Sequence, residues 1–537
     1  MTYKQVVLLI LDGFGVASPS EGNPVVAANP RNLNYLINNF PATTLQASGP
    51  SVGLPWGELG NSEVGHLNLG AGRIVSQDLP RIGKAIANEE FFKNPAFLGA
   101  LAHAKKNNSK IHLLGLVSEG GVHSAEEHLD ALFRLFSRES FPQVFLHMFT
   151  DGRDTLPRAA LGVLDRLSRK FLELGIGKIA TITGRFYAMD RGEHWEVTEQ
   201  TYRAMVHGEG TKAPSAREAI QSYYDQQIYD ETIPPTVIAT GDQPVARIES
   251  GDAVIFFNFR HDRQVQLATA FLNPRGGKFS KPLENIPNLY IATMTEYKKG
   301  LPAVVAFPSV EIKNGIGEVL SMHQLTQINI TQFHTAESEK YAHVTSFFNG
   351  GREEPWPGEE REIITSPESY QKRYQDVPEM SVAKIAETVV RQLGQGKNFI
   401  LANIANCDMV GHTGNKDACV RAVQAVDAAI GAIFAAAVKA GAALVITADH
   451  GNVEEILDPR TGMVDTEHTL NPVPFIVAAP GLSRKTPLLK GYLELPGIVP
   501  EGVLSDVSPT ILELFGIPSP PEMTAVSLMP ILQKQVE

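Results

Sequence analysis

The sequence predicts an α/β protein made of two α/β domains, and three observations carry that prediction. The first is length: 537 residues exceed what one core accommodates, so two domains of a few hundred residues each are expected. The second is a repeated habit. A short apolar run that reads as a buried parallel strand empties into a loop bearing Asp, His or Arg. The third is a pair of crossing points, Gln77–Pro80 and Pro302–Pro308, that separate blocks of such units.

Bulk composition narrows the class. With 43% hydrophobic and 20% charged residues the chain is expected to be soluble and globular. A net charge of −12 and no dense Lys/Arg block argue against a nucleic-acid surface. An acidic substrate would need a local basic cluster working against that field. Two cysteines, Cys407 and Cys419, give no disulfide framework and fit a reducing compartment. The apolar run Val6–Leu11 is too short for a signal peptide or a membrane span. A cytoplasmic protein with no nucleic-acid or membrane partner is the expectation.

Taken in order, the chain opens on the apolar run that ends at Asp12-Gly-Phe-Gly. Ligands of open α/β sheets gather outside the carboxyl ends of strands, which makes Asp12 informative. Asp before Gly is also ordinary turn chemistry. In Leu59–His66, Ser62 stands between Gly60 and Gly65, with Glu63-Val64 able to begin a helix. Amide groups and the dipole at a helix start suit an anion. The hydroxyl could receive a phosphoryl group if its proton is taken, or simply cap the helix.

Beyond the first crossing, Ile111–Val117 leads to His123, and Val144–Phe149 leads to Asp151-Gly-Arg153-Asp154. Ile179–Thr183 leads to Arg185 and Arg191, and Val254–Phe259 leads to Arg260 and Arg263. One arginine after a strand is an ordinary solvated charge. Five from three loops, in a net-negative chain, read as a cradle for a small multiply charged acid, because guanidinium groups bind phosphate and carboxylate bidentately. His123 could touch that ligand or cap its own loop.

After the second crossing the pattern predicts a helix over Ile316–Met322, an extended piece at Ile328–Thr331 and a polar loop from His334 to His343. Lys340 in such a loop would ordinarily be a surface charge. Gly350–Glu362 reads as an exposed loop or short hairpin. A strand at Asn398–Ala402 precedes Asp408-Met-Val-Gly-His412, and Ala-rich Val420–Ala440 reads as a helix. Leu444–Ala448 ends in Asp449-His450, and His468 stands just before the strand Val473–Ala479.

Asp12, Ser62, Asp408, His412, Asp449, His450 and His468 form one candidate set. Carboxylate and imidazole donors with no required thiolate suit Mn²⁺, Zn²⁺ or Mg²⁺. Asp408 and His412, four apart, could face one ion from a helical turn or a loop. Adjacent Asp449 and His450 suit the bridging of two sites better than the chelation of one. Two ions about 3.5–4 Å apart can clamp the oxygens of an in-line displacement, and Ser62 beside one of them becomes a nucleophile. Cys407 reads as a packed thiol.

Over essentially its whole length the chain resembles the 2,3-bisphosphoglycerate-independent phosphoglycerate mutases of the alkaline-phosphatase superfamily. The motifs are Leu-Asp12-Gly-Phe-Gly, Gly-Asn-Ser62-Glu-Val-Gly-His, Gly-Gly-Val-His123-Ser, Asp151-Gly-Arg-Asp154, Gly-Arg185-Phe-Tyr-Ala-Met-Asp-Arg191, Asn-Phe-Arg260-His-Asp-Arg263, Glu-Lys340-Tyr-Ala-His-Val-Thr, Asp408-Met-Val-Gly-His412-Thr-Gly and Ala-Asp449-His450-Gly-Asn. Cys407 and His261 depart from the pattern where proline is expected, Gly192-Glu-His194 is less basic than expected, and Leu482–Leu504 is longer.

The resemblance implies a phosphatase-like metal domain formed by residues 1–77 and 312–537, with a substrate domain, 78–311, inserted. It implies that Asp408, His412 and His468 hold one divalent ion, and that Asp12, Ser62, Asp449 and His450 hold the other. Mn²⁺ is the first expectation, with Mg²⁺, Zn²⁺ or Co²⁺ as alternatives and no 2,3-bisphosphoglycerate. His123, Arg153, Asp154, Arg185, Arg191, Arg260, Arg263 and Lys340 would contact phosphoglycerate. The implied reaction, in glycolysis and gluconeogenesis, interconverts 3-phosphoglycerate and 2-phosphoglycerate through phosphoserine at Ser62. Asp154 would move protons, Lys340 would neutralise charge, and the protein would be a monomer. A metal-dependent phosphohydrolase, a phosphosugar mutase of the same superfamily and a non-enzymatic anion-binding protein are the competing readings.

Overall fold

The computed structural model describes residues 2–273, 275–279, 283–324, 330–367 and 373–536. The chain divides into two compact units, Met1–Gln77 with Glu311–Glu537, and Asp78–Val310. The strands, in chain order, begin with β1 (Val6–Leu11) and β2 (Ala42–Gln46). The inner stretch supplies β3 (Ile111–Leu116), β4 (Val144–Thr150), β5 (Lys178–Gly184), β6 (Thr211–Ala213), β7 (Thr236–Thr240), β8 (Gln243–Pro244), β9 (Ala253–Phe256), β10 (Tyr290–Thr295) and β11 (Val304–Phe307). The remainder are β12 (Gln332–Glu337), β13 (Glu359–Ile364), β14 (Phe399–Ile404), β15 (Ala443–Thr447), β16 (Val473–Ala478) and β17 (Gly502–Val503).

In the first unit the sheet order is β13-β12-β14-β1-β15-β16-β2-β17. β1 lies between β14 and β15 and runs parallel to both, with Ile10 opposite Asn403 on one side and Thr447 on the other. The two ends of the chain therefore build one sheet. All six side chains of β1 are buried, as its unbroken apolar run requires of a strand covered on both faces. Parallel pairing of β12, β14, β1 and β15 brings their carboxyl ends to one edge. Asp12, Lys340, Asp408, Asp449 and His450 follow at that edge, the address expected for a ligand site in an open α/β sheet.

The second unit has the sheet order β11-β10-β9-β3-β4-β5-β7-β6, with β8 paired to β7. β9, β3, β4 and β5 are parallel neighbours, so the loops bearing Arg260 and Arg263, His123, Arg153 and Asp154, and Arg185 leave from one edge. Each unit has its own apolar core.

Several local expectations change. The helix expected over Val420–Ala440 starts earlier, at Lys416, where the Asn415 side chain accepts from the Ala418 amide. It is long and apolar enough to cross a bilayer, but one face is packed in the core. Ile316–Gln324 is helical as expected. Residues 328 and 329 of the expected extended piece lie outside the described residues. The polar loop expected from His334 is instead the buried strand β12 up to Glu337, because Gln332, His334 and Glu337 find partners inside. The His334 ring bonds the Val344 carbonyl and Gln332 Nε2 donates to the Gly317 carbonyl. Residues 359–362, expected in a loop or hairpin, open the edge strand β13, which pairs in parallel with β12.

Candidate active site and metal centre

Ser62 is the first residue of the helix Ser62–Ala71, and the capping role belongs to Asn61, whose side chain accepts from the Val64 amide. The hydroxyl is thus left for other work. Ser62 Oγ donates to Asp12 Oδ1 at 3.1 Å, accepts from Lys340 Nζ at 2.8 Å and lies 2.9 Å from His450 Nε2. Lys340 is buried, and its ammonium also reaches Asp12 Oδ1 at 2.8 Å and Asp408 Oδ2 at 2.7 Å. It is no surface charge.

Asp408 and His412 stand on one helical turn, Asn406–Gly411 and its cap, which settles the choice between turn and loop. His412 Nε2 and His468 Nε2 lie 3.2 and 3.1 Å from Asp408 Oδ1 and 3.2 Å from each other. His412 Nδ1 bonds the Thr466 carbonyl at 2.7 Å, and His468 Nδ1 bonds the Gly60 carbonyl at 2.8 Å. A carbonyl only accepts, so each Nδ1 carries a proton, and whenever a ring is neutral its Nε2 lone pair is turned inward. Lone pairs converging on a carboxylate at these distances need a proton or a metal ion between them, and rings oriented through Nδ1 are how metal-binding histidines are held. His450 Nδ1 bonds the Gly451 carbonyl at 3.3 Å, and its ring stacks on His468 with centroids 3.9 Å apart.

Asp12, Asp449 and His450 form a second group of converging donors, and Asp408, His412 and His468 the first. Asp449 and His450 fall together in the second group, and His450 Nε2 also lies 4.0 Å from Asp408 Oδ1 of the first. Asp449 Oδ2 is buried, with the His66 ring nitrogen Nδ1 3.3 Å away and no hydrogen bond of good geometry. Three buried carboxylates, Asp12, Asp408 and Asp449, face one buried ammonium. That excess of negative charge in a desolvated place suits cations.

Charge balance shifts the proton affinities accordingly. Burial raises the Asp12 carboxyl, reinforced by Asp449, against the pull of Lys340. Burial would also raise Asp408, but Lys340, His412 and His468 outweigh it and hold that carboxyl well below its usual range. Burial would lower Lys340, and Asp12, Asp408 and Asp449 overcome this and raise it. The Asp408 hydrogen bond raises His412; His468 is also raised, as Asp408 overcomes its burial.

The arginine-bearing loops of the second unit form their own cluster. Arg185 is buried and donates through Nη1 to Asp151 Oδ1 at 2.7 Å and to Asp154 Oδ2 at 2.5 Å. Asp262 takes Arg191 Nη1 at 2.7 Å and Arg260 Nε at 3.2 Å, and its Oδ1 lies 3.7 Å from His123 Nδ1. The His123 carbonyl accepts from the Phe259 and Arg260 amides, tying the β3 and β9 exits together. Burial first, then Arg185, pushes the His123 imidazole down to about 4, so it is neutral at physiological pH. Burial and then the nearby Arg191, Arg185 and Arg153 lower the Arg263 guanidinium. Arg153 itself turns toward Glu231, 3.6 Å away. Cations gathered against one another in this way favour a multiply charged anion. Lys340 alone of the expected substrate contacts belongs to the first unit, among the metal-type donors.

The family comparisons agree with both blocks. Residues 82–299 match the model of the BPG-independent phosphoglycerate mutase N-terminus, and residues 330–471 match type I phosphodiesterase/nucleotide pyrophosphatase. The 2,3-bisphosphoglycerate-independent phosphoglycerate mutase of Chloroflexus aurantiacus is 45% identical, covering 98% of each chain. The chain belongs to the 2,3-bisphosphoglycerate-independent phosphoglycerate mutases. A mutase of this family from Methanosarcina acetivorans is 46% identical over 98% of each chain. The crystal structure of Leishmania mexicana phosphoglycerate mutase at low cobalt concentration is 28% identical, covers 97% of each chain and superposes with a TM-score of 0.61.

The mutase site also contains residues that the sequence reading passed over. Asn403 donates to Asp12 Oδ2 at 2.7 Å, and Asn452 donates to Asp408 Oδ1 at 3.3 Å. Asp151 accepts from Ser118, from the Arg153 and Asp154 amides and from Arg185, which outweigh its burial and hold its carboxyl low. Asp262 stands between Arg260 and Arg263 in sequence, and that acidic break in a basic pair was the available signal.

Gly65 of the serine motif sits where a side chain would not fit. A Cβ there would come 2.6 Å from the Asp449 carbonyl and 2.7 Å from its Cβ, so helix and Asp449 touch backbone to backbone. Gly65→Ala is expected to cost about 1–3 kcal/mol by forcing them apart. Thermal unfolding of the purified variant checks it, and an unchanged midpoint would refute the contact.

Proposed function

We propose that this mutase interconverts 3-phosphoglycerate and 2-phosphoglycerate through phosphoserine at Ser62, serving glycolysis and gluconeogenesis in the cytoplasm as a monomer. The observation that carries the reading is Ser62 Oγ at a helix N-terminus, within hydrogen-bond reach of Asp12, Lys340 and His450 together. A capping or packing serine has no use for that company.

Two divalent ions, Mn²⁺ first, would be held by Asp408, His412 and His468 and by Asp12, Ser62, Asp449 and His450, supplying Lewis acidity that acidifies the serine hydroxyl and draws charge from the phosphoryl oxygens. Ser62 Oγ gives up its proton and forms the new bond to phosphorus as the bond from phosphorus to the C3 oxygen breaks, and that oxygen takes up a proton. Glycerate reorients. Its C2 hydroxyl then loses a proton and bonds to the phosphorus as the bond from phosphorus to Ser62 Oγ breaks, and the serine oxygen takes a proton back. Asp154, bonded to Arg185 and 3.9 Å from His123, is the group assigned to move those protons. Lys340 neutralises charge developing around the serine oxygen. The arginines and His123 retain glycerate between the half-reactions. The phosphoryl group returned is the one just taken, so 2,3-bisphosphoglycerate has no role.

The test is an enolase-coupled assay on chelated protein reloaded with Mn²⁺, Mg²⁺, Zn²⁺ or Co²⁺, without bisphosphoglycerate. Turnover that vanishes on chelation and returns with an ion is expected. Release of free phosphate from 3-phosphoglycerate in place of 2-phosphoglycerate would make the chain a phosphohydrolase.

A further inference from the structure

His66 is fully buried one helical turn after Ser62 and has no role in the chemistry above. Its Nδ1 lies 2.8 Å from the Ser62 carbonyl and 3.3 Å from Asp449 Oδ2. Its Nε2 lies 3.0 Å from Asn403 Nδ2. The partners fix every proton. The Ser62 carbonyl only accepts, so Nδ1 carries the hydrogen and Nε2 presents its lone pair. Asn403 Nδ2 must be the amide nitrogen, because it also donates to Asp12 Oδ2, and its second hydrogen goes to His66.

We propose that His66 and Asn403 act as positioning residues for the Asp12/Asp449/His450 group, locking the backbone that carries Ser62 to the carboxylates it works beside. Asn403 occupies Asp12 Oδ2 and leaves Oδ1 facing Ser62 and Lys340. His66 holds Asn403 in that orientation through Nε2, while its Nδ1 edge ties the Ser62 turn beside Asp449. Asn403 lies opposite Ile10 on the neighbouring strand, so the clamp joins the helix start to two strand ends. The His412/His468 group lies outside this chain of bonds. Removing a group that orients a metal ligand typically costs 10–100-fold in metal affinity. The inference rests on the two-ion reading given above, and the experiment separates the two.

The experiment is Mn²⁺ titration of full-length protein, read by electron paramagnetic resonance, beside the kinetics with 3-phosphoglycerate. His66→Ala is expected to weaken one of two Mn²⁺ ions about 10–100-fold and leave the other unmoved, with kcat falling and KM within about twofold. His66→Gln, whose amide reaches the Nε2 position, is expected to recover at least about tenfold in affinity, whereas His66→Asn, which reaches only the Nδ1 position, recovers less. That comparison stands even if the alanine variant fails to fold. Two ions held at wild-type strength in His66→Ala, or Gln and Asn variants that bind alike, would overturn the proposal. Wild-type protein that takes up no pair of ions would instead overturn the metal reading beneath it.

Discussion

Ser62→Ala is expected to remove mutase turnover, by about 10⁴-fold or more, while leaving the fold in place. The two halves of that expectation have separate grounds. Catalysis should collapse because the phosphoryl group has no other acceptor oxygen held by Asp12, Lys340 and His450 at a helix start. Stability should hold because Asn61, not Ser62, caps the helix, and because Lys340 keeps its bonds to Asp12 and Asp408 when the hydroxyl goes. Coupled kinetics and thermal unfolding on one preparation read both. In the wild type, phosphate label should pass from substrate to Ser62 and back without exchange into free phosphate. Turnover near wild type in the alanine variant would end the covalent route.

The positions of the candidate site residues were legible because they obey a local rule. An apolar run marks a parallel strand, and the first polar residues after it occupy the sheet's carboxyl edge; Asp12, Asp408, Asp449 and Arg185 all follow that rule. That β1 pairs with β14, almost four hundred residues later, is a non-local fact that no run or spacing encodes, and only the family resemblance implied it. β12 was hidden for another reason. Its buried residues Gln332, His334, Thr335 and Glu337 are polar, and the hydrogen bonds of Gln332, His334 and Glu337 with backbone elsewhere, invisible in sequence, let them be buried. β13 is an edge strand whose Glu-Glu-Arg start reads as loop, though charges on an edge are a common guard against unwanted pairing. His66 and Asn403 were passed over because they orient ligands rather than serve as them.

Acid is expected to strip the His412/His468 group of its ion, and the direction follows from the shifts in the ion-free protein. Asp408 raises both imidazoles above their ordinary value, so on the way down from neutral pH each takes up its proton earlier than a free histidine would. A cation needs those Nε2 lone pairs bare, so binding releases protons and affinity falls as pH falls. The onset should lie above about 6.5, the unperturbed imidazole value. Two imidazoles titrating together give a limiting loss of about 100-fold in affinity per pH unit. Asp408 does not compete for protons in this range, since its neighbours hold it ionised. Stability runs the opposite way in the stripped protein. A histidine whose folded pKa is raised stabilises fully below its unfolded value and loses that contribution as pH rises through the folded value. The gap in Tm between loaded and stripped protein should therefore narrow as pH falls through and below about 6.5, in step with metal content measured after desalting. Metal content unchanged from pH 8 to pH 5 would mean that His412 and His468 are not the ligands.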